Sequence, residues 1–122
     1  MTYIEVFNAL NGIAIGENET IPVAYYQFPA DDPNNPAPPP PFICYYYEGS
    51  NDFLADGTNY QTIRPLTVEL YTDNKDFDIE QAVETALNAA GLVFTRTETY
   101  IDTEQLYLVT YYADVVVTPT EE

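Results

Sequence analysis

The fold is decided by residues 66–91, which read LTVELYTDNKDFDIEQAVETALNAAG. Over residues 66–71 apolar and polar side chains alternate, and this period of two predicts a strand with one buried face. Over residues 79–90 apolar side chains recur three and four positions apart, which predicts an amphipathic helix. Asp76 or Asp78 caps its start, and Gly91 ends it as a left-handed cap. A strand and a helix in succession, each with one apolar side, predict a helix packed against a sheet.

A short helix and two strands are predicted before this stretch. Thr2 and Glu5 match the reciprocal capping pattern, so we expect a helix over residues 2–11. Residues 21–28 and 41–47 are rich in β-branched and aromatic residues and predict strands, the first at a sheet edge because it begins with a proline. Residues 29–41 hold seven prolines, and we interpret them as a stiff connector between two antiparallel strands. The alternative is a proline tract that docks on an aromatic groove of a partner.

The rest of the chain predicts a loop, a hairpin and a tail. Residues 48–62 are mostly polar but carry large apolar side chains, so we expect a long loop that serves as a contact surface. Residues 92–101 and 106–118 predict two strands joined by a turn into a hairpin, and residues 119–122 predict a flexible tail. One face of the second strand is expected to carry Tyr107, Val109, Tyr111, Ala113, Val115 and Val117.

These elements predict one α+β domain over residues 1–122. Their order is helix, three strands, helix, two strands, and short connections favour a mostly antiparallel, possibly mixed, sheet. We therefore expect a single sheet of about five strands with both helices packed on one face. The other face is left for water or for a partner.

The charge and the missing residue types exclude several classes of function. The formal net charge of −17 at pH 7 arises from 20 acidic residues against three basic ones, so an accessible phosphate backbone would be repelled. Without histidine, and with a single cysteine that reads as a small strand residue, zinc sites and Ser-His or Cys-His catalysis lack their components. The acidic stretch 73–80 lacks the central glycine of a calcium loop. We expect no enzymatic activity, no metal and no cofactor.

Tyrosine is the residue that indicates a protein interface. The chain has twelve tyrosines and no tryptophan, and they cluster at 25–26, 45–47 and 111–112 in the predicted strands. Adjacent strand residues point to opposite faces, so each cluster places a ring outward, either for an interface or simply on a solvated face. The residues predicted to form the interface are Asn51, Asp52, Phe53, Leu54, Asp56, Tyr60, Tyr46 and Tyr71.

Several segments together resemble the tail terminator, or tail-completion, proteins of long-tailed bacteriophages and prophages of Gram-positive hosts. The segments are Ile21–Tyr25, Pro41–Tyr47, Gly49–Phe53, Val68–Asp73 and Tyr100–Tyr107, and they occur in the order typical of that family across nearly the whole chain. The proline-rich tract 36–41 is longer than the family pattern. Each segment is a strand or turn signature, so the resemblance depends on their joint order.

The resemblance implies a structural virion protein. It would form a ring, expected to be a hexamer, at the head-proximal end of the tail tube, where it ends tube growth and joins the head. Its partners would be further copies of itself, the tail tube protein and the head-side connector, and it would reside in the host cytoplasm before assembly. Acidic walls around a passage would keep DNA from sticking, although plain solubility also accounts for the charge.

Two other functions remain open from the sequence. A head-side connector or neck protein is also a small ring-forming component. An acidic cytoplasmic module that binds a basic protein by mimicking DNA would use the same surplus of carboxylates.

Overall fold

The computed structural model describes residues 1–16, 19–27, 38–49, 51–55 and 59–117. It contains two helices, α1 (Tyr3–Leu10) and α2 (Phe77–Ala89). The strands are β1 (Ala14–Gly16), β2 (Glu19–Thr20), β3 (Val23–Tyr25), β4 (Phe42–Tyr47), β5 (Asn51–Ala55), β6 (Asn59–Thr72), β7 (Phe94–Ile101) and β8 (Leu106–Val117). The predicted connector over 29–41 lies largely outside the described residues, as does the predicted tail over 119–122.

Both helices begin and end as their sequences indicate. In α1 the Thr2 hydroxyl accepts from the Glu5 backbone N–H at 3.1 Å, and the Glu5 carboxylate accepts from the Thr2 N–H at 2.8 Å. In α2 the Asp76 carboxylate accepts from Ile79 N–H at 3.1 Å. Gly91, with φ +81°, donates to Asn88 O, and Leu92 N–H reaches Leu87 O at 3.0 Å. This is a Schellman termination, which needs a residue with positive φ, so both predicted caps of the long helix are confirmed.

The main sheet has the order β3-β4-β6-β8-β7, and β5 pairs with β6 beside this path. All pairs in it are antiparallel except β3 with β4, which is parallel. A second, small sheet, which the sequence analysis missed, pairs β1 with β2. The α+β class and the mixed sheet are therefore confirmed.

The parallel pair corrects one prediction. The proline-rich connector was expected to join antiparallel strands, but Val23, Ala24 and Tyr25 lie beside Ile43, Cys44 and Tyr45 in parallel register. A parallel pair requires a chain long enough to return to the starting end of the sheet, and residues 26–41 provide that length. The prediction that β3 is an edge strand is confirmed.

The predicted loop over 48–62 is also wrong. Its residues form β5 and the first part of β6, paired as a hairpin with Leu54 opposite Tyr60. Residues 59–61 pair with β5, and Thr62 and Ile63 also pair with Val117 and Val116 at the end of β8. Pairing with neighbouring strands thus extends a segment whose own composition is that of a loop.

One face of the main sheet is covered by both helices. Leu66, Val68 and Leu70 of β6 are at most 1% exposed and pack with Val6 of α1 and Val83 of α2 in one core. The expected buried face of β8 is confirmed for Val109, Tyr111, Ala113, Val115 and Val117, while Tyr107 is half-buried. We call the opposite face of the sheet the open face. It carries Phe42, Cys44, Tyr46, Thr67, Glu69, Tyr71, Thr110 and Tyr112.

Candidate protein-interaction surfaces

A cluster of charged side chains lies on the helix side of the sheet, centred on a buried carboxylate. Glu80 of α2, only 2% exposed, accepts from Lys75 at 2.6 Å and from Arg96 of β7 at 2.9 Å. Arg96 also contacts Glu84 and Glu98, and Lys75 contacts Glu98 at 2.9 Å. A buried carboxylate is tolerated only with such partners, so this cluster fixes α2 against β7.

The protonation of the cluster follows from these contacts. Burial opposes the charge of Lys75, but its hydrogen bonds to Glu80 and Glu98 outweigh this and raise its pKa. The pKa of Glu98 is lowered, first by its hydrogen bond from Lys75 and further by the charge of Arg96. Lys75 and Glu98 are therefore both charged at neutral pH.

The cluster also decides the charge of the surface. Two of the three basic side chains of the protein form ion pairs in this cluster. The third, Arg64, lies in a cleft lined by tyrosines. Carboxylates are meanwhile exposed at Glu5, Asp73, Asp78, Asp102 and Asp114. The described surface is thus almost uniformly acidic, which favours partners with basic patches and opposes contact with phosphate backbones.

The open face carries two stacked aromatic pairs. The rings of Tyr26 and Tyr46 lie 5.0 Å apart at 27°, and those of Phe42 and Tyr71 lie 5.0 Å apart at 25°. Between them lies a cleft of about 630 Å³ that is also lined by Glu69. Large, rigid aromatic rings with polar edges are typical of protein interfaces, and this surface has that composition.

Two groups in this cleft are held in their neutral forms. The Tyr71 hydroxyl donates to Glu69 at 2.9 Å, and burial followed by that hydrogen bond raises the pKa of Tyr71. Burial and then the Glu69 charge raise the pKa of Cys44 to about 11. A thiol with that pKa is neutral at physiological pH and buried, which agrees with the interpretation of Cys44 as a small strand residue.

The structure separates the predicted interface residues into two groups. Tyr46 and Tyr71 lie on the open face, on neighbouring strands. Asn51, Asp52, Phe53 and Leu54 lie in β5, and Tyr60 lies at the start of β6, so these five belong to the hairpin. Asp56 lies outside the described residues. Whether either group forms an interface stays a prediction.

Several residues of these surfaces were not singled out from the sequence. Tyr26 and Phe42 complete the stacked pairs on the open face, and Arg64 meets Tyr3 and Tyr47 on the other side of the sheet. The tyrosine clusters were visible in the sequence, but their partners were not, because each pair joins residues far apart in the chain. Strand order and register bring them together.

Neither a metal site nor a membrane-spanning helix is found in the described part of the chain. Among residues 1–16, 19–27, 38–49, 51–55 and 59–117, no group of three or more histidine, cysteine, aspartate or glutamate side chains could hold a metal ion. Within the same ranges, neither helix is long and apolar enough to cross a bilayer.

Comparison with known proteins gives a likeness of fold. The sequence matches no protein-family model and no curated protein. The structure is similar to a chain of the solved structure described as the virion of a native gene transfer agent (GTA) particle, with a TM-score of 0.50 and 16% sequence identity. The superposition covers 77% of this chain and 78% of that chain. At this identity the likeness concerns the fold, which the two chains share over most of their lengths.

Proposed function

We propose that this chain is a structural subunit of a phage-like virion and that it forms a ring at the head-proximal end of the tail. In this role it ends polymerisation of the tail tube and offers a surface to the head-side connector. The observation that carries the proposal is the fold shared with a chain of the GTA virion over about three quarters of both chains. The strand and turn signatures of this sequence occur in the order typical of tail terminators. Among the components of a virion, this order favours the tail terminator.

The surfaces of the molecule support a role in assembly. A head-to-tail ring requires two different surfaces on each subunit. The open face with its stacked aromatic pairs is one, and the helix side, where Ile4 and Phe77 are exposed, offers another. Because these surfaces lie on opposite sides of the sheet, each copy can contact two neighbours.

The acidic surface supports the same role. Like charges on free subunits repel one another and so weaken their association in dilute solution, and the tip of a growing tail then provides a template. Where the ring surrounds the path of the genome, carboxylates also prevent the DNA backbone from adhering.

The test is electron microscopy of particles produced after the gene is inactivated in its native phage or prophage. We expect overlong tails of variable length beside filled heads that lack tails. Tails of normal length that fail to join heads would instead assign the chain to the head-side connector or neck. Normal virions would refute a role in assembly and would favour the acidic module that binds a basic protein.

A further inference from the structure

Arg64 is the one basic side chain that the described part of the protein leaves without a carboxylate. Lys75 and Arg96 are neutralised by glutamates in the charged cluster. Around Arg64, by contrast, no described aspartate or glutamate lies within ion-pair distance. In a chain with 20 acidic residues, an arginine without a carboxylate partner is unexpected and points to a partner outside the subunit.

The guanidinium of Arg64 is held in a fixed orientation. Its Nε donates to Gly49 O, and its Nη1 donates to the Tyr3 hydroxyl at 3.0 Å. Its Cζ lies 5.2 Å from the ring centre of Tyr47 and 6.0 Å from that of Tyr3. None of the described groups accepts a hydrogen bond from Nη2. An arginine oriented in this way has already lost the side-chain freedom that binding would cost.

Tyrosines complete a cleft of about 390 Å³ around this group. Its lining residues are Tyr3, Tyr25, Tyr45, Tyr47 and Arg64. They come from α1, β3, β4 and β6, and the rings of Tyr25 and Tyr45 pack edge to face at 5.1 Å. The rim is accessible, since Tyr3 is 43% and Tyr25 50% exposed, while Tyr45 is buried.

The hydroxyls in this cleft have protons to donate. The Tyr47 hydroxyl is buried and has no hydrogen-bond partner among the described residues. The Tyr25 hydroxyl accepts from Tyr47 N–H at 3.4 Å, and the Tyr3 hydroxyl accepts from Arg64. Neither hydroxyl donates its own proton to a described residue, so each can donate to a ligand. Burial, followed by the neighbouring tyrosines, raises the pKa of Tyr47 although Arg64 opposes this, and Tyr47 therefore remains a donor at neutral pH.

We propose that the cleft of Arg64 and its four tyrosines is a carboxylate-binding site, filled in the assembled ring by an acidic side chain of a neighbouring copy. The planar guanidinium fork matches a carboxylate, and the phenol hydroxyls supply further donors to its oxygens. A second copy supplies 20 acidic residues but few basic ones. A carboxylate is therefore the charged group that it most readily offers to Arg64. The assignment of the carboxylate to a second copy rests on the ring of the proposed function.

The site itself is tested with the purified protein and acetate. The Nε–H resonance of Arg64 is followed by NMR during titration with sodium acetate, and sodium chloride at equal ionic strength serves as the control. We expect a saturable shift with acetate alone, and a weaker one in Tyr47→Phe, which removes the buried hydroxyl that has no partner among the described residues. No saturable shift in the wild type would overturn the proposal.

The source of the carboxylate is tested by sedimentation velocity over a range of protein concentrations. We expect Arg64→Gln to weaken self-association by about 10-fold or more, and Arg64→Lys, which keeps the charge but loses the fork, to weaken it as well. Gln81→Glu is the matched control because Gln81 is exposed on α2, outside the cleft, and the substitution makes the same change in net charge. Circular dichroism establishes that each variant is folded. If Arg64→Gln is not folded, Tyr47→Phe takes its place.

The outcomes separate this inference from the proposed function. A carboxylate from a second copy is supported if acetate binds and if the Arg64 variants, but not the control variant, associate more weakly than the wild type. Acetate binding with unchanged association, or with a wild type that stays monomeric at every concentration, would overturn the second copy as the source. Normal virions after gene inactivation would refute the proposed function whatever the acetate titration gives.

Discussion

Replacing Arg96 with glutamine tests whether the buried charged cluster holds α2 against the sheet. Arg96 donates to buried Glu80 at 2.9 Å, and a hydrogen bond to a charged group contributes about 1.5–3 kcal/mol. Its contacts with Glu84 and Glu98 are more exposed, so each of them adds little to stability. Their loss, however, leaves three carboxylates near one another, and among the described residues only Lys75 remains to neutralise them. We expect R96Q to lower the free energy of unfolding by about 2–4 kcal/mol. For a domain of this size, the melting temperature would fall by roughly 7–15 °C.

The pH dependence of this loss has a definite sign. The pKa of Glu98 is lowered in the folded state, by the hydrogen bond from Lys75 first and by the charge of Arg96 as well. A carboxyl with a lowered folded pKa stabilises the protein above its unfolded pKa of about 4.3, and this contribution is lost as the pH falls through the folded value. The part of this difference that comes from the contact between Arg96 and Glu98 should therefore be complete at pH 7 and shrink below about pH 4.

The assay is urea unfolding followed by circular dichroism at pH 7 and at a series of lower pH values. Gln81→Glu is the matched control, because Gln81 is exposed on α2 and the change shifts the net charge by the same single unit. A loss in R96Q no larger than in the control would refute the role assigned to the cluster, and a loss that persists unchanged at acid pH would contradict the contribution assigned to Glu98.

Three further predictions follow from the core, the thiol and the hairpin. Leu70→Ala removes a fully buried side chain (0% exposed) and should cost about 2–5 kcal/mol in urea unfolding, whereas a loss under about 1 kcal/mol would contradict its central place in the core. Cys44, with its pKa raised to about 11 by burial and then by the charge of Glu69, should react with a thiol reagent at pH 8 only after denaturant is added, and fast reaction of the folded protein would contradict its burial. Replacing Phe53, Leu54 and Tyr60 together with serine should leave the circular dichroism spectrum intact and abolish ring formation in electron micrographs, so a ring that still forms would refute their assignment to the interface.

Local patterns were sufficient for most individual elements. The capping residues of α1 and α2 accept hydrogen bonds from N–H groups three positions further along the chain. Both helix starts could therefore be predicted from neighbouring residues. The buried face of β6 followed from its period of two, because side chains alternate between the faces of any strand. The hairpin of β5 and β6 could not be predicted in this way, since its residues form strands by pairing with each other and, at Thr62 and Ile63, with β8.

The sequence by itself determined the α+β class, the helix caps, the alternating faces of the central strands and the acidic character of the protein. Each of these features depends on residue types or on spacings of a few positions, so the local sequence is sufficient to predict it. Only the tertiary structure decided that β3 runs parallel to β4, that Glu80 is buried between Lys75 and Arg96, and that Arg64 faces a cleft of tyrosines. These features join residues that are distant in the chain. Strand order and register determine which of these residues meet, and both arise from packing of the whole sheet against the two helices.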